Sequence, residues 1–351
     1  MNWENNVRKV VPYTPGEQPK CGRMIKLNTN ECPYPPAPGV KKLLESEKYE
    51  ELRLYPSPDA SELVNVLAEY YKVKPTEVFV GVGSDDVISM AFLTFFNSDK
   101  PILFPDITYS FYPVWSDVYK IAYKTKALDD DFRIKKEDYL EPNGGIIIPN
   151  PNAPTGVLES LADIEEIVKS NPDSVVMIDE AYIDFAEDGS SALSLVDKYE
   201  NLLVIRTFSK SRAMAGLRVG FAIGNEKLIK YLNDVKYSIN SYTMNRPSLV
   251  LGVEAVKDDE YFRSTLKKIV NTRERMKKEL STLGFSFPDS RSNFVFASHR
   301  SVPAEDIFNY LRSKQIFVRY FKQPRIDNYL RITVGTDEEV DELIRELKTF
   351  L

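Results

Sequence analysis

Thr207-Phe208-Ser209-Lys210-Ser211-Arg212-Ala213-Met214-Ala215-Gly216-Leu217-Arg218, preceded by the apolar run Leu202–Ile205, decides how the rest of the chain is read. Four apolar residues in succession predict a strand buried on both faces. The strand runs into a polar Ser-Lys-Ser turn, with an arginine eight residues beyond the lysine. A lysine at the end of a buried strand loses solvation, which favours its neutral and nucleophilic form. A neutral lysine amine condenses with carbonyl compounds. Ser209 and Arg218 then read as a hydroxyl donor and a charged fork for a phosphate. Taken alone, the stretch is equally a surface turn with ordinary basic residues.

Two further segments repeat the pattern upstream. Val175-Val176-Met177-Ile178-Asp179-Glu180-Ala181-Tyr182 is an apolar run ending in an acid. An acid at the carboxyl end of such a strand lies in the crevice where open α/β sheets bind ligands. Asp179 there can hold a protonated ring nitrogen, and Tyr182 can donate to a phenolic oxygen on the same ring; a helix N-cap and a core aromatic are the bland alternatives. Ile146-Ile147-Ile148-Pro149-Asn150-Pro151-Asn152-Ala153-Pro154-Thr155-Gly156 is again a strand meeting a loop, one restricted by three prolines after the isoleucines. Val78-Phe79-Val80-Gly81-Val82-Gly83-Ser84-Asp85 reads as strand, tight turn and helix start. The third glycine of a dinucleotide fingerprint is replaced by Asp86, so the better reading is a phosphate cup made by the backbone N–H groups of Ser84 and Asp85.

Strands are expected to recur at 102–104, 122–125, 146–148, 175–178, 202–205 and 220–223, with helices between several of them. That alternation predicts a three-layer α/β unit with a mostly parallel central sheet. From Val253 to Leu283 the pattern turns helical and long. It leads into a smaller α/β unit with strands at 294–297, 316–319 and 330–334 and helices at 304–314 and 338–347. The reading is therefore a large domain over 36–252, with an N-terminal arm (1–35) and a small domain (253–351). The arm is polar and proline-bearing, ending in Pro33-Tyr34-Pro35-Pro36-Ala37-Pro38, and is expected to be extended.

The 351 residues carry a net charge of −6 with no basic stripe, which argues against nucleic acid as a partner. No apolar run is long enough to span a membrane, and Met1–Asn6 lacks the apolar core of a signal peptide, so a cytoplasmic location is expected. Cys21 and Cys32 fit no metal-ligand spacing, and no metal is expected. The single histidine, His299, is expected in an exposed turn, which leaves proton transfer to Lys, Tyr, Asp or Glu.

The three strand-end segments, in this order, resemble the fold-type I, class I/II aminotransferases over nearly the whole chain. The ends narrow the likeness. Pro12-Tyr13-Thr14-Pro15-Gly16-Glu17-Gln18-Pro19, Leu27-Asn28-Thr29-Asn30-Glu31 with Pro33-Tyr34, Arg53-Leu54-Tyr55-Pro56, Ile316–Phe321 and Leu330–Thr336 look like the histidinol-phosphate aminotransferase group. The resemblance implies pyridoxal 5′-phosphate as cofactor, carried on Lys210, which also serves as general base and acid. It implies that Asp179 pairs with the ring nitrogen, Tyr182 bonds the ring's O3′, and Tyr109 stacks on the ring. It places Ser84, Asp85, Ser209 and Arg218 around the phosphate, with Tyr55 reaching it from the neighbouring subunit of a homodimer. Arg331 and Arg319, with Tyr13 and Asn240, are implied for the substrates: histidinol phosphate plus 2-oxoglutarate giving imidazole acetol phosphate plus glutamate, in histidine biosynthesis. One departure stands out. The family's asparagine before Pro-Thr-Gly is Ala153 here, and Asn152 is expected to take its place. Threonine-phosphate decarboxylase and an aromatic amino acid aminotransferase share the fold and remain alternatives. A non-enzymatic effector domain would want a basic helix-turn-helix segment that the first thirty-odd residues leave no room for.

Overall fold

The computed structural model describes residues 3–19, 22, 24–46 and 49–351. Cys21 and the first two residues of the arm lie outside the described residues. The larger sheet contains β2 (Val78–Gly81), β3 (Ile102–Pro105), β4 (Tyr123–Lys126), β5 (Ile146–Pro149), β6 (Val176–Asp179), β7 (Leu202–Thr207) and β8 (Gly220–Gly224), preceded in the chain by β1 (Ile25–Leu27). The smaller sheet joins β1 to β9 (Phe285–Ser286), β10 (Phe294–His299), β11 (Ile316–Tyr320) and β12 (Leu330–Thr333).

The larger sheet has the order β2-β8-β7-β6-β5-β3-β4. β4, β3, β5, β6 and β7 run parallel, while β8 is antiparallel to both of its neighbours. A period of two sorts the apolar runs onto two faces. Ile146, Ile148, Val176, Ile178, Leu202 and Val204 enter one core, and Ile147, Met177, Leu203 and Ile205 enter the other. Helices cover both faces, which is why these strands read as unbroken apolar runs and why the unit has three layers. The smaller sheet packs against helices Asp259–Thr282, Ala304–Ser313 and Asp337–Phe350 around Ile269, Leu311, Ile332 and Leu343.

Three expectations change in detail. The helical passage after Val253 is two helices, Arg246–Lys257 and Asp259–Thr282, because Asp258 breaks the first and its carboxylate accepts from Tyr261 N (3.2 Å) to start the second. The first of these packs into the larger core as far as Val256, past residue 252. The arm contributes β1, which lies parallel to β11 and buries Leu27 in the smaller core; three residues are too few to show a strand period in sequence. His299 is not in an exposed turn. It ends β10 buried, with Nδ1 accepting from Val302 N (3.0 Å) and Nε2 2.9 Å from Leu283 O.

β8 presses against the start of helix Gly83–Phe95 at Gly220. A methyl group there would stand 2.2 Å from the Gly83 carbonyl carbon and 2.3 Å from Ser84 N. Both neighbours are backbone, so neither can swing aside. Gly220→Ala is expected to lower stability by about 1–3 kcal/mol and to displace the first turn of that helix. Thermal melting of the variant, with and without added inorganic phosphate, measures both effects.

Candidate active site

Parallel β5, β6 and β7 end side by side, with Pro149, Asp179 and Ile205 in register across the ladder. β5 and β6 end there, and β7 runs on to Thr207 before it too leaves the sheet at this edge. Asp179 closes β6, and Lys210 follows β7 by three residues. A buried ion-pair cluster holds the two strand ends together from behind. Arg206 donates to Glu180 through Nε (3.0 Å) and Nη2 (2.8 Å), and its Nη1 reaches Asp184 (3.1 Å). Ser211, next to Lys210, donates to the other oxygen of Asp184 (2.5 Å).

Asp179 is 5 % exposed. Burial raises its pKa to about 6, although donation from Tyr112 Oη (2.9 Å) and from Ala181 N (3.2 Å) works the other way. Tyr112 is itself fully buried; burial first, then Asp179, holds its phenol protonated and therefore a donor. The carboxylate is a negative charge removed from water without a cationic partner. Lys210 Nζ donates to Thr29 O (3.1 Å), and the Tyr182 hydroxyl accepts from Asn30 Nδ2 (2.9 Å). Thus the segment after β1 reaches across from the smaller unit to two functional groups of the larger one.

The opposite end of the cleft is the start of helix Gly83–Phe95. Its first N–H groups have no partner inside the helix. Gly83 has φ +82°, and a methyl group on it would lie 2.5 Å from Arg218 Nη2. The two glycines, 83 and 220, therefore open a concave cup of backbone donors. Arg218 Nη1 donates to Ser209 Oγ (3.4 Å) and Nη2 to Asp85 Oδ2 (3.1 Å). Tyr109 donates to the other Asp85 oxygen (2.9 Å), and burial, then Asp85, raises its pKa and keeps it a donor.

One cleft brings together Ser84, Asp85, Tyr109, Asp179, Tyr182, Ser209, Lys210 and Arg218, along with Pro149, Ala153, Ala181 and Thr207. Asn152 is not at its wall. Its Nδ2 donates to Ile107 O (3.0 Å) and Thr155 Oγ1 (3.1 Å), so the carboxamide organises the loop, and the methyl of Ala153 faces the cleft instead. Tyr13 and Arg319 line a second groove, walled by the arm, by Ile107, Thr108 and Pro113 of the larger unit and by the end of β11. Arg319 and Arg331 stand directly opposite each other on antiparallel β11 and β12. Arg331 donates to Asn28 O (3.1 Å) through Nη2, while its buried Nε has no partner. Burial lowers the Arg331 pKa, and the Arg319 charge adds to the shift. Tyr55 and Asn240 do not line this cleft. Tyr55 is 81 % exposed and stacks on Tyr242 at 4.6 Å, and Asn240 caps the end of helix Glu226–Ile239 in solvent. Sequence reading gave no role to Tyr112, Thr29 or Asn30. Their signal is three-dimensional, because each acts from an element distant in sequence from its partner.

The residues present fit pyridoxal phosphate. The backbone cup with Arg218 and Ser209 suits a phosphate dianion, buried Asp179 lacks a cation such as a ring N–H⁺, and Lys210 supplies an amine between them.

The sequence profile of the aminotransferase class I and II family matches residues 22–347. The histidinol-phosphate aminotransferase of Brachyspira hyodysenteriae is 51 % identical over 98 % of this chain and 97 % of its own length. Histidinol-phosphate aminotransferase 1 of Hydrogenovibrio crunogenus is 53 % identical over 99 % and 98 %. Among solved structures, the histidinol-phosphate aminotransferase from Clostridium acetobutylicum superposes with a TM-score of 0.86 at 23 % identity, covering 93 % of this chain and 99 % of that one. The enzyme from Sinorhizobium meliloti, in complex with pyridoxal-5′-phosphate, gives 0.85 at 22 %, covering 93 % and 92 %. These structures share the fold.

Because the folded pKa of Asp179 is raised to about 6, the native state binds its proton more tightly than the unfolded chain. Its contribution to stability therefore falls as pH rises from about 4 through 6, and ionised Asp179 costs roughly 3 kcal/mol above that window. Without cofactor, Asp179→Asn is expected to melt at or above wild type at pH 7–8 and to lose this pH dependence. Adding pyridoxal phosphate is expected to reverse the order, by stabilising the wild type more than the variant. A parallel drop of the variant at every pH would show that Asp179 is not held against its charge.

Proposed function

This chain belongs to the class I and II aminotransferases, and we propose that its cleft holds pyridoxal 5′-phosphate and exchanges an amino group between histidinol phosphate and 2-oxoglutarate. The observation that carries this reading is the convergence of Lys210, the cation-less carboxyl of Asp179 and the backbone cup with Arg218 in one cleft. Relatives called histidinol-phosphate aminotransferase, at about half identity over nearly the full chain, support histidinol phosphate as the amine.

Bound there, the cofactor supplies an electron sink that lets a proton leave the amine-bearing carbon of the substrate. Ser84 and Asp85 N–H groups, Ser209 Oγ and Arg218 would hold its phosphate, and Asp179 would keep a proton on its ring nitrogen. Tyr109 would lie against the ring, and the Tyr182 hydroxyl would donate to the ring oxygen. Lys210 Nζ would carry the cofactor and, once displaced by the substrate amine, would act as the base, with Thr29 O at 3.1 Å to orient the amine.

One substrate ends in a phosphate and the other in a carboxylate, so the site must accept two different anions in turn. Arg331, with an unpartnered buried Nε, and Arg319 opposite it form a two-fork receptor for either. Tyr13 stacks on Phe111 at 4.2 Å beside this pair and narrows the groove.

Tyr55 completes the site only from a second copy of the chain, whereas Asn240 is left outside the cleft as a helix cap. Leu52, Leu54 and Tyr55 are exposed, as are Ile239 and Tyr242. An apolar surface of this kind marks an interface, and a homodimer would cover it while delivering Tyr55 to the neighbouring cleft.

The direct test is an absorbance titration of the loaded protein. Conversion of the cofactor's visible band by histidinol phosphate, and its recovery with imidazole acetol phosphate, is expected. Carbon dioxide released from threonine phosphate, with no response to histidinol phosphate, would overturn the substrate assignment. Arg331→Lys is expected to keep the cofactor band and lose turnover with both substrates by two or more orders of magnitude, since lysine cannot present a fork. Parallel loss of the band would mean a folding defect.

A further inference from the structure

We propose that Asn30 is a positioning residue that fixes the direction of the Tyr182 hydroxyl proton, so that Tyr182 always faces the cofactor as a donor. This rests on the reading of the cleft given above.

Asn30 is 1 % exposed and sits in the left-handed region at φ 56°, a conformation asparagine tolerates better than most residues. Its backbone is fixed by the smaller unit: Asn30 N donates to Thr333 Oγ1 (3.0 Å), and Asn30 O accepts from Asn293 Nδ2 (3.0 Å). Its carboxamide can be oriented from its partners. Thr333, 2 % exposed, already accepts from Asn30 N, so its own hydroxyl proton must go elsewhere. The acceptor is Asn30 Oδ1 at 3.1 Å. Turning the amide over would aim two donors at the Thr333 oxygen and leave a buried O–H unsatisfied. Hence Nδ2 points at Tyr182 Oη, at 2.9 Å.

The consequence falls on Tyr182. With Oη accepting from Asn30, its single proton is turned away from Asn30 and towards the cleft that Tyr182 lines. Neither Asn152, whose Nδ2 is taken up by its own loop, nor residue 153, which offers a methyl, competes for this job. The relay runs Thr333 O–H to Asn30 Oδ1, then Asn30 N–H to Tyr182 Oη, then Tyr182 O–H into the cleft. An O–H aimed at the ring oxygen favours the ionised form of that oxygen. Losing the aim therefore raises the pH at which the bound cofactor gives up its proton.

The test uses full-length wild type, Asn30→Ala, Asn30→Asp and Thr333→Val. Three quantities are read: the pH midpoint of the bound cofactor's visible absorption, the dissociation constant of pyridoxal phosphate by equilibrium dialysis, and the melting temperature without cofactor. Asn30→Ala is expected to raise the midpoint by about one pH unit and the dissociation constant roughly three- to tenfold. Asn30→Asp is expected to raise the midpoint further, because a carboxylate accepts the Tyr182 proton and draws it out of the cleft. Thr333→Val is expected to move the midpoint the same way, although Thr333 touches neither Tyr182 nor the cleft wall. Lower melting temperatures with unmoved midpoints in all three variants would reduce Asn30 to a structural part and overturn the inference alone. A wild type that binds no pyridoxal phosphate would overturn the reading of the cleft and this inference with it.

Discussion

A buried ion-pair cluster behind the cleft is the constraint on which the site depends. Arg206, Glu180 and Asp184 lie between the ends of β6 and β7, and Ser211 ties the lysine turn to the same cluster. Asp179 precedes Glu180, and Lys210 precedes Ser211, so each functional group is the immediate neighbour of a pinned one. Burying such charges without partners would be costly. The cluster therefore holds only in the one arrangement that satisfies every member, and that arrangement sets the spacing of the acid and the amine.

A second constraint comes from the opposite direction. The three residues after β1 touch the functional groups in order: Asn28 O meets Arg331, Thr29 O meets Lys210, and Asn30 Nδ2 meets Tyr182. β1 itself is paired to β11 and buried through Leu27. The strands of the smaller unit that carry Arg319 and Arg331 and the strand ends of the larger one are thus joined by a short strap.

Arg319 and Arg331 stand opposite each other on β11 and β12, while Lys210, Asp179 and Arg218 line the cleft itself. Asp85 accepts from both Arg218 and Tyr109, and so holds Arg218 in place beside the start of helix Gly83–Phe95.

The chain's own pattern determined the layered α/β architecture, because period-two apolar runs that are unbroken on both faces have few other ways to be buried. It also marked the strand ends that carry Asp179, Tyr182, Lys210 and Arg218, since polar residues just past a buried strand must emerge at the sheet edge. What it left open depended on contacts between distant segments. Asn152 and Ala153 are adjacent in sequence, and only the path of the loop decided which of them faces the cleft. Asn30 and Tyr112 look like a polar arm residue and a core aromatic until the fold sets them 2.9 Å from Tyr182 and Asp179. Local pattern records how each segment is buried, whereas hydrogen-bond direction and desolvation depend on what is packed opposite. Those are properties of the tertiary structure alone.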